Sequence, residues 1–142
     1  MSTTDYIRKE AFWTLCGKKI GSGCYRKVYE CSFDNTLVVK VESRSQCFSN
    51  ILEWTYWGEL HWMEGYKEWL APCVQISPSG GVLIQKKIEP IRRNELPKKL
   101  PQFLTDIKPE NFGMYEGRLV CCDYGSILCD WSKKLKKIED EF

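Results

Sequence analysis

Asp106-Ile107-Lys108-Pro109-Glu110-Asn111 constrains this chain most, because a further carboxylate, Asp123 of Asp123-Tyr124-Gly125, follows twelve residues after Asn111. The residues in between read Phe112-Gly113-Met114-Tyr115, the turn pair Glu116-Gly117, and Arg118-Leu119-Val120-Cys121-Cys122. Two short runs of strand composition around a turn predict a hairpin, and that hairpin folds Asn111 and Asp123 back together. The side chains then suit one chemistry. A carboxylate at Asp106 accepts or orients the proton of an attacking hydroxyl. Lys108 neutralises a transferring phosphoryl group. The Asn111 carbonyl and the Asp123 carboxylate ligate Mg2+, which prefers such oxygen ligands alongside substrate phosphates. The bland alternative is a proline-containing turn beside an unrelated Asp-Tyr-Gly turn.

Upstream, Gly17 to Ile20 leads into Gly21-Ser22-Gly23-Cys24-Tyr25-Arg26-Lys27-Val28-Tyr29. A strand, a glycine turn and a second strand over Val28–Phe33 fit here, and Asp34-Asn35 marks the turn into a third, Leu37–Glu42. Together they predict a three-stranded antiparallel meander. Turn glycines let backbone N–H groups approach phosphates closely, although Gly21-x-Gly23 in a hairpin is equally an ordinary turn. The third position of the usual G-x-G-x-x-G is Arg26, a departure that still offers a phosphate a basic side chain. Lys40, flanked by Val39 and Val41, follows this hairpin in the layout where a lysine reaches the α/β-phosphates; the plain alternative is a lysine alternating outward from a strand. Such a lysine needs a carboxylate from a neighbouring helix. Ile51–Glu64 has near-helical apolar spacing, with Ser49 and Asn50 as cap candidates, and supplies Glu53 or Glu59.

Leu70–Ile76 and Val82–Gln85 predict two more strands joined by Ser77–Gly81. Residues 86–101, basic and holding three prolines, predict a linker with at most one helical turn. Residues 5–15 predict a short helix or extended arm on the first sheet. The tail, with Trp131, Leu135 and Ile138 at helical spacing, predicts an amphipathic helix. The 142 residues fit one domain or a domain with an appendage, and 43% apolar content suffices for a core. No apolar window is long enough for a membrane span, and the first residues lack the pattern of a secretory signal. Eight cysteines without such a signal predict reduced thiols, most of them buried. There is no C-x-x-C pair, and the lone His61 is distant, so a zinc site is not expected. A net charge of +2 with interspersed signs argues against a dedicated nucleic-acid binder. The basic run around Lys86, Lys87, Arg92, Arg93, Lys98 and Lys99 reads as a solvated face.

The ordered set Gly21-x-Gly23-x-x-x-x-Val28, Val-x-Lys40, Glu53, Asp106-x-Lys108-Pro-Glu-Asn111 and Asp123-Tyr124-Gly125 resembles the protein-kinase-like fold over residues 17–126. It is most similar to the small putative serine/threonine kinase-like proteins of tailed bacteriophages. The resemblance implies an α+β, minimal kinase-like fold. Residues 1–16 form an N-terminal arm or helix. Residues 17–88 form a lobe with a five-stranded antiparallel sheet and one αC-like helix. Residues 89–142 form a strongly truncated second lobe with the catalytic loop, the metal-binding hairpin and the tail helix. It implies ATP and Mg2+ as cofactors. Gly21, Gly23, Arg26 and Val28 lie at the nucleotide, Lys40 holds its α/β-phosphates with Glu53 as partner, and Gln85 to Lys87 form the hinge against adenine. Asp106 is the catalytic base with Lys108 beside it, and Asn111 and Asp123 bind the metal. Leu104-Thr105 stand where protein kinases have His-Arg, Tyr124 replaces Phe, and no Ala-Pro-Glu segment follows.

Two functions follow as expectations. The first is a compact serine/threonine phosphotransferase acting on itself or a host protein, in the host cytoplasm if phage-encoded. The second is a catalytically weak or inactive kinase-like protein that captures a host factor, with six tryptophans available for an interface. Both leave the oligomeric state open and expect neither a membrane nor nucleic acid as partner.

Overall fold

A run of β-branched and aromatic residues with tight turns between them builds a five-stranded antiparallel sheet, and with two α-helices among the described residues the fold is α+β. The computed structural model describes residues 2–44, 47–125 and 135–137. The chain divides into two compact units, Met1–Asn50 with Cys73–Lys87, and Ile51–Pro72 with Ile88–Phe142.

In the first unit, helix α1 (Thr3–Leu15) starts where Ser2 caps it, its hydroxyl oxygen accepting the Asp5 N–H at 3.1 Å. Asp5 in the first turn complements the positive end of the helix dipole. Strands β1 (Cys16–Ser22), β2 (Arg26–Cys31) and β3 (Leu37–Glu42) form the expected meander. Strands β4 (Cys73–Ile76) and β5 (Val82–Lys86) complete the sheet in the order β1-β2-β3-β5-β4. The fourth strand begins three residues later than the spacing predicts, because Pro72 has no N–H for the ladder. Alternation separates two faces. Cys16, Cys31, Leu37 and Val39 form the core of one, with Leu15, Tyr29, Val41, Val82 and Ile84 packed against it. Phe12 of α1 meets Tyr29 edge-on, ring centres 5.3 Å apart. Leu37 to Lys40 are buried without a break, so the central strand is covered on both faces.

Helix α2 (Ser49–Leu60) is shorter than expected and ends before Gly65. Its first two residues belong to the first unit and the rest to the second. The described residues of the second unit have little regular structure beyond α2. Strands β6 (Glu89–Pro90), β7 (Lys99–Pro101), β8 (Phe112–Tyr115) and β9 (Arg118–Cys121) are short, and β6, β8 and β9 form one sheet. The β8–β9 hairpin is the one the sequence predicts. Its turn residues Glu116 and Gly117 have φ of 50° and 79°, the pair of positive values that a tight two-residue hairpin turn requires. Buried Tyr66 and Phe103 pack at 4.7 Å between ring centres, and Leu70, Leu100, Leu104, Phe112 and Val120 of the same unit are buried too.

Two expectations are corrected here. Residues 86–101 are not merely a linker: they hold β6 and β7 as well as a single 3-10 turn at Arg93–Glu95. Pro90 is tolerated because β6 lies at a sheet edge. The tail is not helical throughout. Leu135–Lys137 form strand β10, antiparallel to β7, so strand pairing outweighs helical spacing there. Trp131 and Ile138 of that expected helix lie outside the described residues. No helix among the described residues is long and apolar enough to cross a membrane.

Candidate functional site

In the first unit, strand register lines up the candidate residues. Gly21 pairs with Val28, Val28 with Lys40, and Lys40 with Leu83, so these positions form one row across four strands. Directly opposed residues share a face, and Gln85, two residues beyond Leu83, lies on that face as well. It is the face opposite the Cys16–Val39 core. Lys40 is only 4% exposed, which corrects the plain alternative of an outward lysine. Gly23 lies in the turn beyond β1, its N–H donating to the Arg26 carbonyl at 2.9 Å. Gln85 is fully buried, and its amide donates to the Cys73 sulfur at 3.8 Å.

Arg26 has a structural partner that spacing did not reveal. Its Nη1 donates to Asn50 Oδ1 at 3.1 Å, while Asn50 Nδ2 donates to the Lys40 carbonyl at 3.1 Å. The Asn50 N–H donates to Glu42 Oε1 at 3.0 Å. Asn50, read from sequence as a cap candidate, is thus a buried polar hub tying the start of α2 to the strand that carries Lys40. Its signal was only its position, since many helix-start asparagines do no more than cap.

In the second unit, the segment 106–111 closes on itself. Asn111 is 3% exposed, at the end of a 3-10 turn over Pro109–Asn111. Its Nδ2 donates to the Asp106 carbonyl at 2.7 Å and to Asp106 Oδ2 at 3.1 Å. Lys108 Nζ stands 3.7 Å from the same Oδ2. Both ionic groups are about half exposed, so the pair adds at most about 1 kcal/mol of stability. Asp106 itself has φ of 52°. A non-glycine residue there costs roughly 1–3 kcal/mol and persists only where its surroundings enforce it. The Asn111 amide is that enforcement. No sequence pattern announced the positive φ.

The hairpin then delivers Asp123. Phe112 pairs with Cys121, and the Cys122 N–H donates to the Asn111 carbonyl at 2.8 Å, one residue before Asp123. The Cys121 thiol donates to the Asp123 carbonyl at 3.3 Å. Beyond it, buried Tyr124 donates its hydroxyl to the Ala71 carbonyl at 2.8 Å, and the Ala71 N–H donates to the Cys121 carbonyl at 2.9 Å. A buried phenol needs such a partner, and that was the available signal for this anchor. Burial drives the Cys121 thiol well above its usual pKa, and the charges of Cys122, Asp123 and Glu53 add to the rise. Glu53 and Asp123 therefore act on one thiol. Glu53 is fully buried whereas Glu59 is exposed, which separates the two alternatives for a helix carboxylate turned inward.

The Mg2+ ligands implied by the sequence fit in their chemistry. Both clamping bonds of Asn111 use its nitrogen, leaving Oδ1 as the oxygen suited to a hard cation, and Asp123 adds a carboxylate. No group of three or more His, Cys, Asp or Glu that could hold a metal occurs among the described residues. None of the seven described cysteines is in a disulfide: Cys16, Cys31, Cys73 and Cys121 are buried, Cys47 and Cys122 are half-buried, and Cys24 is exposed. No protein-family model matches the chain, and no curated protein matches it.

Proposed function

We propose that this protein binds ATP with Mg2+ on a kinase-like fold and is a compact serine/threonine phosphotransferase that acts on itself or on a host protein. The observation that carries the reading is the clamp on Asp106, whose strained backbone and carboxylate are both held by the Asn111 amide with Lys108 beside them. A fixed carboxylate next to an ammonium and a cation-ligating amide matches what phosphoryl transfer needs, which is positioning and charge stabilisation. The five-stranded sheet with a helix following its third strand supports the same reading, as does the row of Gly21, Val28 and Lys40. Lys40 would neutralise phosphate charge, and Asn111 and Asp123 would hold Mg2+, which supplies charge neutralisation at the phosphates. Asp106 would take the proton as the substrate hydroxyl oxygen forms its bond to phosphorus and ADP leaves.

Calorimetric titration with ATP and Mg2+ tests this. Asp123→Ala should weaken the Mg2+-dependent binding at least tenfold, and Asp106→Ala should retain binding but lose transfer from radiolabelled ATP. Absence of ATP binding by the unaltered protein would overturn the proposal. A second reading, a kinase-shaped protein that captures a host factor, is favoured by Tyr6, Ile7 and Trp13, each about 60% exposed on α1. Capture that persists in Lys40→Ala and Asp123→Ala proteins, without ATP binding, would favour it.

A further inference from the structure

Cys16 and Cys31 are register partners at the base of the β1–β2 hairpin, and both belong to the buried cluster on one sheet face. The Ser32 N–H donates to the Leu15 carbonyl at 2.9 Å in the neighbouring pair, whereas the Cys16 N–H turns back to the Phe12 carbonyl as the cap of α1. Cys16 and Cys31 therefore form a non-hydrogen-bonded pair. In such pairs the Cα atoms lie about 4.5 Å apart with side chains close on one face, within the separation of roughly 4.4–6.8 Å that a disulfide spans. The two thiols are near enough that Cys31 adds to the rise in the Cys16 pKa, which burial dominates. An open cleft of about 680 Å³, lined by Gly17, Glu30, Cys31, Phe33 and Asp34 among others, reaches Cys31 but not Cys16.

We propose that Cys16 and Cys31 form a thiol–disulfide modification site, oxidised by a low-molecular-weight disulfide entering through this cleft. The Cys31 thiolate attacks one sulfur of the small disulfide, whose S–S bond breaks, and one small thiol leaves with the proton that Cys31 gave up. The Cys16 thiolate then attacks the Cys31 sulfur and expels the second small thiol. The two protein thiols are oxidised to one disulfide, and one disulfide is reduced to two thiols. The bond ties the end of α1 and the start of β1 to β2, closing a loop that contains the whole Gly21–Gly23 turn.

The test uses the full chain and 2-hydroxyethyl disulfide, a small uncharged reagent. After acid quench, alkylation and digestion, the peptides carrying Cys16 and Cys31 should be recovered joined. The oxidised protein should melt several degrees higher, reversibly with reductant, because the unfolded chain is constrained. Cys16→Ser should trap the mixed disulfide on Cys31, since the resolving thiol is gone, whereas Cys31→Ser should leave Cys16 unmodified. Recovery of Cys16 and Cys31 as separately alkylated peptides from the unaltered protein, whatever becomes of exposed Cys24, overturns the assignment.

Discussion

The sheet of the first unit and the segment 104–125 of the second hold their candidate residues by different means. In the sheet, Gly21, Val28 and Lys40 are aligned by backbone register, and changing one side chain leaves the row in place. Around Asp106 there is almost no ladder. Position depends on individual contacts: the Asn111 amide, the Cys122–Asn111 backbone bond, and the Tyr124 hydroxyl on Ala71. A regular element distributes its tolerance over many equivalent bonds, whereas an irregular one concentrates it in a few. The same substitution should therefore behave differently in the two regions.

Glycine to alanine provides the sharpest contrast. A Cβ on Gly113 would lie 2.5 Å from the Glu89 carbonyl oxygen and 2.5 Å from Ile88 Cδ1, so β6 must move away from β8. A Cβ on Gly21 would meet only Val28 side-chain atoms at 3.6 Å or more, an ordinary contact. Gly113→Ala should destabilise the protein by about 3 kcal/mol, typical of overpacking against backbone. Gly21→Ala should change stability by less than about 1 kcal/mol. Urea unfolding of the two variants side by side checks this. Equal losses would mean that the approach of β6 to β8 is no tighter than that of β2 to β1.

Asn111→Ala comes next in size. It removes two donors to Asp106 from a buried position and frees the strained backbone that they hold. The expected loss is about 1–3 kcal/mol, for two hydrogen bonds of which one goes to a charged group. Asn111→Asp should not rescue it, because it offers no donor and sets a second negative charge against Asp106. A variant as stable as the parent in urea would show that the clamp is dispensable.

Much of the sheet was legible because its signals are local. The third strand, Leu37–Glu42, has the bounds its composition predicts, and so does the hairpin around Glu116-Gly117 up to Cys121. Strand order was not local: β5 inserts beside β3, and no residue announces that. At the candidate site, the spacing of Asp106, Lys108 and Asn111 was readable, and their contact follows from one tight turn. The positive φ at Asp106, the hub at Asn50 and the Tyr124 anchor were not, because each depends on a partner remote in sequence or on a backbone state that side-chain pattern does not encode. Short β6, β7 and β10 were missed for the same reason, their pairing being tertiary rather than compositional.

The smallest expected effect lies in the sheet unit, at a turn where that region also relies on a side chain. Asp34 Oδ1 accepts the Thr36 N–H at 2.9 Å and the Thr36 hydroxyl at 2.6 Å before β3 begins. The hydroxyl bond, then the backbone bond, hold the Asp34 carboxyl below its ordinary pKa, with Lys86 adding a smaller share. A carboxyl with a depressed folded-state pKa stabilises the fold above the unfolded value of about 3.9, and that contribution is lost as pH falls through the folded value. Asp34→Asn keeps an acceptor oxygen but cannot titrate. Near neutral pH the two proteins should therefore have similar melting temperatures. As pH falls from the unfolded value of about 3.9 down through the lower folded value, the parent should lose stability slightly faster than the variant. Melting curves between neutral and acidic pH, followed by circular dichroism, measure the difference, and parallel declines would show that the Asp34 turn adds nothing to the sheet beyond its backbone register.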